Sequence, residues 1–484
     1  MRNAGLLPEG VRDLARRPLS GQLQMNGLRL AVIGGGAAGM LAALRAIELG
    51  AEVTLHDSAA VLGGSLRSFR EGGWLAELGA NTVMEPDPVV RGLLDRAGLA
   101  DRVIRPSAAA RRRYIVHEGV PVPVPGSASA LLASTLLSVP GRLRLLKEPF
   151  VAAGPANGEE SVDSFARRRF GGEVAERFLD PLLAGSSGAD PAKVLVRYVL
   201  PKLFEYEQLG GSVLKGARRA ASAARSARTT GTQSKASAGL WSCPDGLSEI
   251  PAAVGGRLGA GLHLGHGATI TRIGNGLEVR WGSERRPIDA AIVAVPSAGL
   301  TQVAGALPGG GSLAATASIP IASMATISLG FRRDQVEHPL DGFGLLAPSR
   351  ERRSLLGVLF ASSLFPSRAP AGHVLLTALV GGMRQPELLA ETSGELERLV
   401  REDLAALLGV RGEPLFRAEG RWIGALPQAV AGHSGRIAAA DAVERANPMV
   451  AFAGSWRDGL SVADAMLGGV RAVDRMAERC GRTG

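Results

Sequence analysis

Residues 28–33, LRLAVI, are apolar apart from one arginine and run straight into three glycines. Such a run predicts a short strand buried on both faces. Small residues from 37 to 49 then predict a helix, which Gly50 closes, and residues 52–56 predict a second strand. The three make a strand–turn–helix–strand unit of about thirty residues, the opening of a Rossmann-type α/β sheet. Residues 90–210 pattern mostly as helices, with breaks at Pro121, Pro123 and Pro125 and again at Pro140. Between the breaks lies SALLASTLLSV, apolar but shorter than the roughly 20 residues a membrane-spanning helix needs. Arg142, Arg144 and Lys147 follow it. Residues 216–239 are rich in Ala, Ser, Arg and Thr and hold no acid, which predicts a mobile loop, with a helix for the Ala-Arg half as the alternative. Beyond Trp241 short strands alternate with turns, at 269–273, at 290–295 and several times between 343 and 380. Residues 396–408 read as an amphipathic helix, 450–453 as another apolar strand, and 463–477 as a closing helix after Gly454.

At 484 residues with 46% hydrophobic content, the chain exceeds what one core holds, roughly 250–300 residues. Two or three lobes interleaved in sequence are expected. Residues 1–26 carry several arginines and two prolines without the apolar core of a secretory signal, and are expected to be a disordered leader. The net charge of +10 suits an anionic membrane surface, an acidic small molecule or a solvated basic face. The basic clusters lack interleaved aromatics and no nucleic-acid motif stands out, so a nucleic-acid partner is not expected. Two cysteines without a CxxC pair suggest neither a zinc site nor a disulfide framework. No Ser-His-Asp order, carboxylate pair or metal cluster is evident; His263 and His266 have no acid beside them.

Gly34-Gly35-Gly36-Ala37-Ala38-Gly39 fits G-x-G-x-x-G. The first glycine permits a tight turn, the second admits a pyrophosphate, and the third lets helix and strand pack closely. The helix N-terminus then faces the negative charge. Asp57 lies 21 residues after Gly36, at the end of the second strand, where it can accept hydrogen bonds from ribose hydroxyls. NAD and FAD share this fingerprint. Val61-Leu62-Gly63-Gly64-Ser65 and Glu77-Leu78-Gly79-Ala80-Asn81 follow. Together they resemble the second signature of the flavin amine oxidase superfamily, in which a GG turn and an E-x-G turn both approach FAD. Ser65 stands where that pattern often has Arg, and Ala80 where it often has Pro. Near the other end, FAGSWRDGLSV (452–462) is a strand, a glycine turn and a helix start. It suits either the flavin pyrimidine at a helix N-terminus or ordinary strand–helix packing.

The middle of the chain narrows the resemblance. ARRRYIVHEGVPVPVP (110–125), LLSVPGRLRLLKEPF (136–150), ESVDSFARRRFGGEVAERFLDPLLAG (160–185), LPKLFEYEQLGGSVLKG (200–216), DGFGLLAPSRERRSLLGVLFASSLFPSRAP (341–370) and LLTALVGGMR (375–384) resemble the oxygen-dependent protoporphyrinogen oxidases, in family order. The resemblance implies a p-hydroxybenzoate-hydroxylase-like flavoprotein. An FAD-binding domain is assembled from residues 27–90, 240–297 and 431–484. A helical, membrane-facing domain covers 91–215, the flexible basic loop 216–239, and a mixed α+β substrate domain 298–430. The implied reaction is a six-electron oxidation of a porphyrinogen with dioxygen, releasing hydrogen peroxide. Coproporphyrinogen III as substrate, and a paralogue that binds flavin or porphyrin without turnover, stay open. Implied FAD contacts are Gly34, Gly35, Gly36, Ala37, Ala38, Gly39, Asp57, Ser58, Gly64, Ser65, Gly79, Ala80, Asn81, Thr82, Ile270, Trp422, Gly454, Ser455, Leu460, Ser461 and Val462. Asn81 is also placed beside the substrate, where it would orient the ring or polarise a pyrrole N–H. Arg113 is matched to a propionate partner, and Leu346, Leu359 and Leu379 to apolar residues that sandwich the ring. Leu379 stands where an aromatic residue is frequent, and Ala429 where a Tyr is found. A cytoplasmic, peripherally membrane-associated enzyme is implied, with a homodimer and neighbouring haem-pathway enzymes as further candidate partners.

Overall fold

The computed structural model describes residues 23–126, 128–154, 159–229 and 239–480. A five-stranded parallel sheet forms the first layer, built around β1 (Arg29–Ile33). On one side β1 pairs with β2 (Glu52–Asp57), which pairs in turn with β9 (Leu262–Leu264). On the other, β1 pairs with β13 (Ala290–Val293), which pairs with β19 (Val450–Phe452). Distant segments of the chain thus make one sheet. Strands β1, β13 and β19 are near-continuous apolar runs because both faces are covered, whereas β2, EVTLHD, is more polar. The Ala37–Glu48 helix and the C-terminal Val462–Cys480 helix pack on one face, so tightly that a Cβ on Gly469 would lie 1.9 Å from the Ala38 carbonyl oxygen. On the other face, Ala31 and Ile33 share a core with the antiparallel sheet of β10 (Ala268–Ile273), β11 (Gly276–Trp281) and β12 (Glu284–Ile288). Two small pairs complete this lobe: β3 (Ser68–Glu71) with β4 (Trp74–Glu77), and β5 (Val83–Met84) with β8 (Leu240–Trp241).

The second layer is a seven-stranded sheet in the order β18-β14-β17-β16-β15-β6-β7. Its members are β6 (Tyr114–His117), β7 (Val120–Pro123), β14 (Ile321–Arg332), β15 (Gly344–Leu346), β16 (Leu355–Leu359), β17 (His373–Gly381) and β18 (Phe416–Pro427). One face buries Tyr114, Leu345, Val358, Ala378 and Val380 against Leu396, Val400, Leu404 and Leu407 of the Ser393–Leu408 helix. Thr392 caps that helix, accepting from the Glu395 N–H at 3.3 Å.

Three expectations need correction here. The prolines at 121 and 123 do not break a helical region: they sit in β7, on the edge of this sheet, where a strand tolerates a missing N–H. Residues 23–26 belong to the nucleotide lobe, not to the leader. Met25 is buried in its core and its N–H donates to the Leu49 carbonyl at 2.8 Å. Residues 216–229 are not loop but continue the Val213–Thr229 helix, since Ala and Arg are strong helix formers. The remainder of that segment, 230–238, and the leader up to residue 22 lie outside the described residues.

Short helices between residues 128 and 229 form a third, smaller cluster around Val162, Phe165, Leu183 and Phe204. A buried ion network supplements this small core. Arg169, with no exposed surface, binds Glu207 and reaches Glu148 at 3.4 Å. Glu148 also accepts from the Ser212 hydroxyl (2.6 Å) and the Val213 N–H (2.8 Å), which fixes the start of the Val213–Thr229 helix. Removing one member would strand a buried charge, at a cost of about 3–5 kcal/mol.

Candidate cofactor and substrate site

The nucleotide turn is built by close approaches that exclude side chains. A Cβ on Gly34, at φ 106°, would lie 2.4 Å from the Ala294 carbonyl oxygen. One on Gly39 would lie 1.8 Å from the Gly34 carbonyl oxygen. Gly36 differs: a Cβ there would meet nothing within 4 Å. It is also the N-cap of the Ala37–Glu48 helix, and no side chain caps it. Bare helix N–H groups facing open space suit a diphosphate. Ala37 is half-open and Ala38 is buried beneath the C-terminal helix. Asp57 accepts from the Gly35 N–H at 2.5 Å and the Ala59 N–H at 2.7 Å. Each carboxylate oxygen keeps a further lone pair. Ser58 beside it is exposed.

The second turn abuts the first. The Gly63 N–H donates to the Gly35 carbonyl (2.9 Å), and a Cβ on Gly64 would lie 3.3 Å from the Gly36 Cα. Ser65, exposed, offers its carbonyl to the Ala80 N–H at 3.1 Å, and a Cβ on Gly79 would lie 2.3 Å from that same oxygen. The E-x-G loop is thereby laid along the GG turn. Asn81 and Thr82 are half-buried; the Asn81 Nδ2 donates to the Gly79 carbonyl at 3.1 Å, which leaves its Oδ1 as an acceptor.

The same loop rests on the seven-stranded sheet. The Leu78 carbonyl accepts from the Trp422 Nε1 (2.5 Å) and the Thr326 hydroxyl (2.6 Å). Gly420 faces the same oxygen, and a Cβ there would come within 2.0 Å of it. Arg67 stacks over Trp422 at 5.6 Å, and its buried Nε has no partner. Arg67 thus lies between the GG turn and the E-x-G turn as a cation close to both. Sequence reasoning missed Arg67, Thr326 and Gly420. Arg67 could have been found as the nearest basic residue after the GG turn; the other two carry no local signal.

At the far end, Gly454 at φ 139° follows β19. Its N–H donates to Asp458 at 2.9 Å, and burial pushes the Asp458 carboxyl up. Ser455, Leu460, Ser461 and Val462 are half-buried. The Ser461 hydroxyl accepts from the Asp464 N–H at 3.0 Å, capping the C-terminal helix. Ile270 is, with Ala38 and several of the glycines, among the expected contacts that are buried. Its side chain is wholly buried in the core between the two sheets, with no surface left to touch a ligand.

The substrate candidates come together on one face of the large sheet. Leu346 pairs with Gly357, and Gly357 with Leu379; Leu359 stands two residues along from Gly357. Alternation therefore puts all three leucines on the face opposite the Leu345–Val358–Val380 core, and each is half-exposed. The Asp180–Ser187 helix closes over them, with Gly185 so near that a Cβ would meet Leu346 at 2.5 Å. Thr326, bonded to the flavin-signature loop, pairs with Leu379. Arg113 immediately precedes β6, whose Ile115 pairs with Leu346. Its exposed guanidinium lies 5.2 Å from the Phe343 ring. Its neighbour Arg112 is committed elsewhere, to Asp341 and the Tyr114 hydroxyl.

Comparison with known proteins bears on the family and the cofactor. The model for the flavin containing amine oxidoreductases matches residues 37–477. Protoporphyrinogen oxidase 2, chloroplastic/mitochondrial, of Arabidopsis thaliana is 32% identical over 93% of this chain and 94% of its own. Coproporphyrinogen III oxidase of Propionibacterium freudenreichii subsp. freudenreichii is 27% identical over 93% of this chain and 90% of its own. A solved structure from Exiguobacterium sp. 255-15 superposes with a TM-score of 0.78 at 21% identity, covering 94% of this chain and 99% of that one, which bears on the fold. The dinucleotide is FAD. The chain belongs to the flavin containing amine oxidoreductase family.

Proposed function

We propose that the chain oxidises protoporphyrinogen IX to protoporphyrin IX in haem biosynthesis, with dioxygen as the final acceptor and hydrogen peroxide as co-product. One observation carries this reading: three half-open leucines on adjacent strands line one face beside the loop that joins both flavin signatures. An apolar slot with few polar groups suits a large macrocycle. When bound, FAD supplies the hydride acceptor. Gly36, Gly64 and Arg67 would hold its diphosphate. Leu346, Leu359 and Leu379 would exclude water and fix the ring plane. Arg113 would pair a propionate through charge-assisted hydrogen bonds. The free Oδ1 of Asn81 would accept from a pyrrole N–H and so orient the ring. The relative at 32% identity over nearly its whole length supports protoporphyrinogen as substrate.

Coproporphyrinogen III is the second reading, favoured by the 27% relative. Supplying each porphyrinogen under air and following porphyrin fluorescence separates the two. The higher kcat/KM is expected for protoporphyrinogen; a reversed preference replaces the first reading with the second. No turnover of either by flavin-replete protein would leave the non-catalytic paralogue, for which Ser65, Ala80 and Ala429 speak.

The helical cluster is proposed to rest on an anionic membrane surface. Leu136 and Leu137 of SALLASTLLSV are buried, but its last residue, Val139, opens an exposed apolar patch. Val139, Leu143 and Leu146 line one side of the Val139–Leu146 helix, and Phe150 beyond it is 86% exposed. Arg142 and Arg144 donate to backbone carbonyls, as does Lys215 to that of Pro149 at 2.8 Å; Lys147 adjoins the patch, and the Lys215 Nζ lies 5.8 Å from the Phe150 ring. Exposed apolar side chains beside lysines suit interfacial contact. Among the described residues no helix is long and apolar enough to cross a membrane. Co-sedimentation with anionic vesicles at low salt is expected, and Phe150→Glu should weaken it. Protein that stays in the supernatant at low salt removes the proposal.

A further inference from the structure

The E-x-G glutamate, Glu77, does not face the cofactor turn. It is 4% exposed and meets Arg368, 2% exposed, at 3.0 Å. The two come from different lobes: Glu77 ends β4, whereas Arg368 ends the short Pro366–Arg368 turn between β16 and β17. Glu77 gathers further donors from its own lobe, the Ser68 hydroxyl at 2.6 Å and the Leu247 N–H at 3.0 Å. Arg368 donates as well to the Ser242 hydroxyl at 2.7 Å and the Cys243 carbonyl at 3.3 Å, and lies over Phe365. Its Nη1 has no partner. Burial opposes both charges, pushing the Glu77 carboxyl up and the Arg368 guanidinium down, while their contact opposes each shift. A pair that costs this much desolvation is weak evidence for stability. Its position points elsewhere. The next residue, Leu78, has its carbonyl clamped to the substrate sheet by Thr326 and Trp422. Gly79 to Thr82 follow directly.

We infer that Glu77 and Arg368 are positioning residues: together they latch the substrate-sheet lobe to the root of the 78–82 loop and so set where Asn81 stands relative to the leucine face. Neither touches the reacting atoms. Glu77 fixes the loop from the nucleotide side, Arg368 carries that fix across the lobe boundary, and the Leu78 carbonyl is the second pin. A displacement of about 1 Å at a reacting group can lower a rate about a hundredfold, so a loosened latch acts on kcat before it acts on binding.

The test uses the full-length flavoprotein and the variant Glu77→Gln/Arg368→Met, which strands no charge. Three quantities are read: FAD content, the visible circular dichroism of the bound flavin, and kcat and KM for protoporphyrinogen. FAD content should be unchanged, the dichroism altered, kcat lowered about tenfold or more and KM little changed. Wild-type dichroism and kcat in the folded double variant would overturn the inference. Should that protein fail to fold, Arg368→Lys decides, because it keeps a cation beside Glu77 and strands no carboxylate, yet removes the planar donor set that spans Glu77, Ser242 and Cys243. It should shift the dichroism in a measurable, smaller way and lower kcat a few-fold; unchanged values would overturn the inference just as surely. The kinetic arm rests on the oxidase reading, but the dichroism arm does not. An altered dichroism without any porphyrinogen turnover would sink that reading and keep the latch.

Discussion

The nucleotide groove and the leucine face lie against each other but are built in opposite ways. In the groove, position is set by what is missing. Gly34, Gly39 and Gly79 each stand where a Cβ would come within 2.4 Å of a backbone oxygen, and the groups left facing the cofactor are backbone N–H. On the leucine face, position is set by strand register. Leu346, Leu359 and Leu379 come from three strands, and the cation comes from the entry to a fourth. The first arrangement suits an anionic cofactor. The second can be retuned by changing side chains, which is where substrate choice is expected to lie.

The sharpest way to break this comparison is at two glycines three residues apart. Gly36 has open space where a side chain would go, so Gly36→Asp should fold normally yet purify without flavin colour, because a carboxylate would occupy the diphosphate position. Gly39→Ala has no such space, 1.8 Å from a carbonyl oxygen, and should lose fold stability together with flavin. Thermal melts beside absorbance spectra read both. A yellow Gly36→Asp protein would move the diphosphate away from this turn.

A smaller effect is expected on the other side. Arg113→Ala should lower kcat/KM for protoporphyrinogen about ten- to a hundredfold, the loss of roughly 1.5–3 kcal/mol from a charge-assisted hydrogen bond. Flavin content and melting temperature should stay near wild type, since Arg113 has no structural ion pair in which to leave a hole. Arg112→Ala should do the reverse, costing stability through its loss of Asp341 and Tyr114 and sparing kcat/KM. If the two outcomes exchange, the propionate partner is Arg112; if neither variant changes kinetics, the anchor lies elsewhere.

The same contrast explains what the sequence disclosed. The parallel sheet was legible from 28–33 onward because its strands are buried on both faces and announce themselves as apolar runs punctuated by glycine. The first and second turns were legible for the same reason: a close backbone approach demands Gly at a fixed spacing. β14 and β18, the longest strands of the molecule, were not identified, and neither was the hairpin of β6 and β7, whose prolines read as helix breakers until its place at a sheet edge is known. Ile270 was named by resemblance alone; β10 offers alternate residues to opposite faces, and Ile270 falls on the buried one. Thr326, Gly420, Glu77 and Arg368 act through cross-lobe partners from 248 to 342 positions distant along the chain, and no local pattern encodes such a contact. The three leucines were picked out by resemblance alone; the sheet register supplies the physical reason they belong together.

The central claim is that a bound flavin and an apolar porphyrinogen slot work as one site. Anaerobic mixing of the purified flavoprotein with protoporphyrinogen tests it most directly. The oxidised flavin absorbance should bleach as porphyrin fluorescence appears, and admitting air should restore the absorbance. Flavin that stays oxidised in excess protoporphyrinogen and in excess coproporphyrinogen would contradict the account.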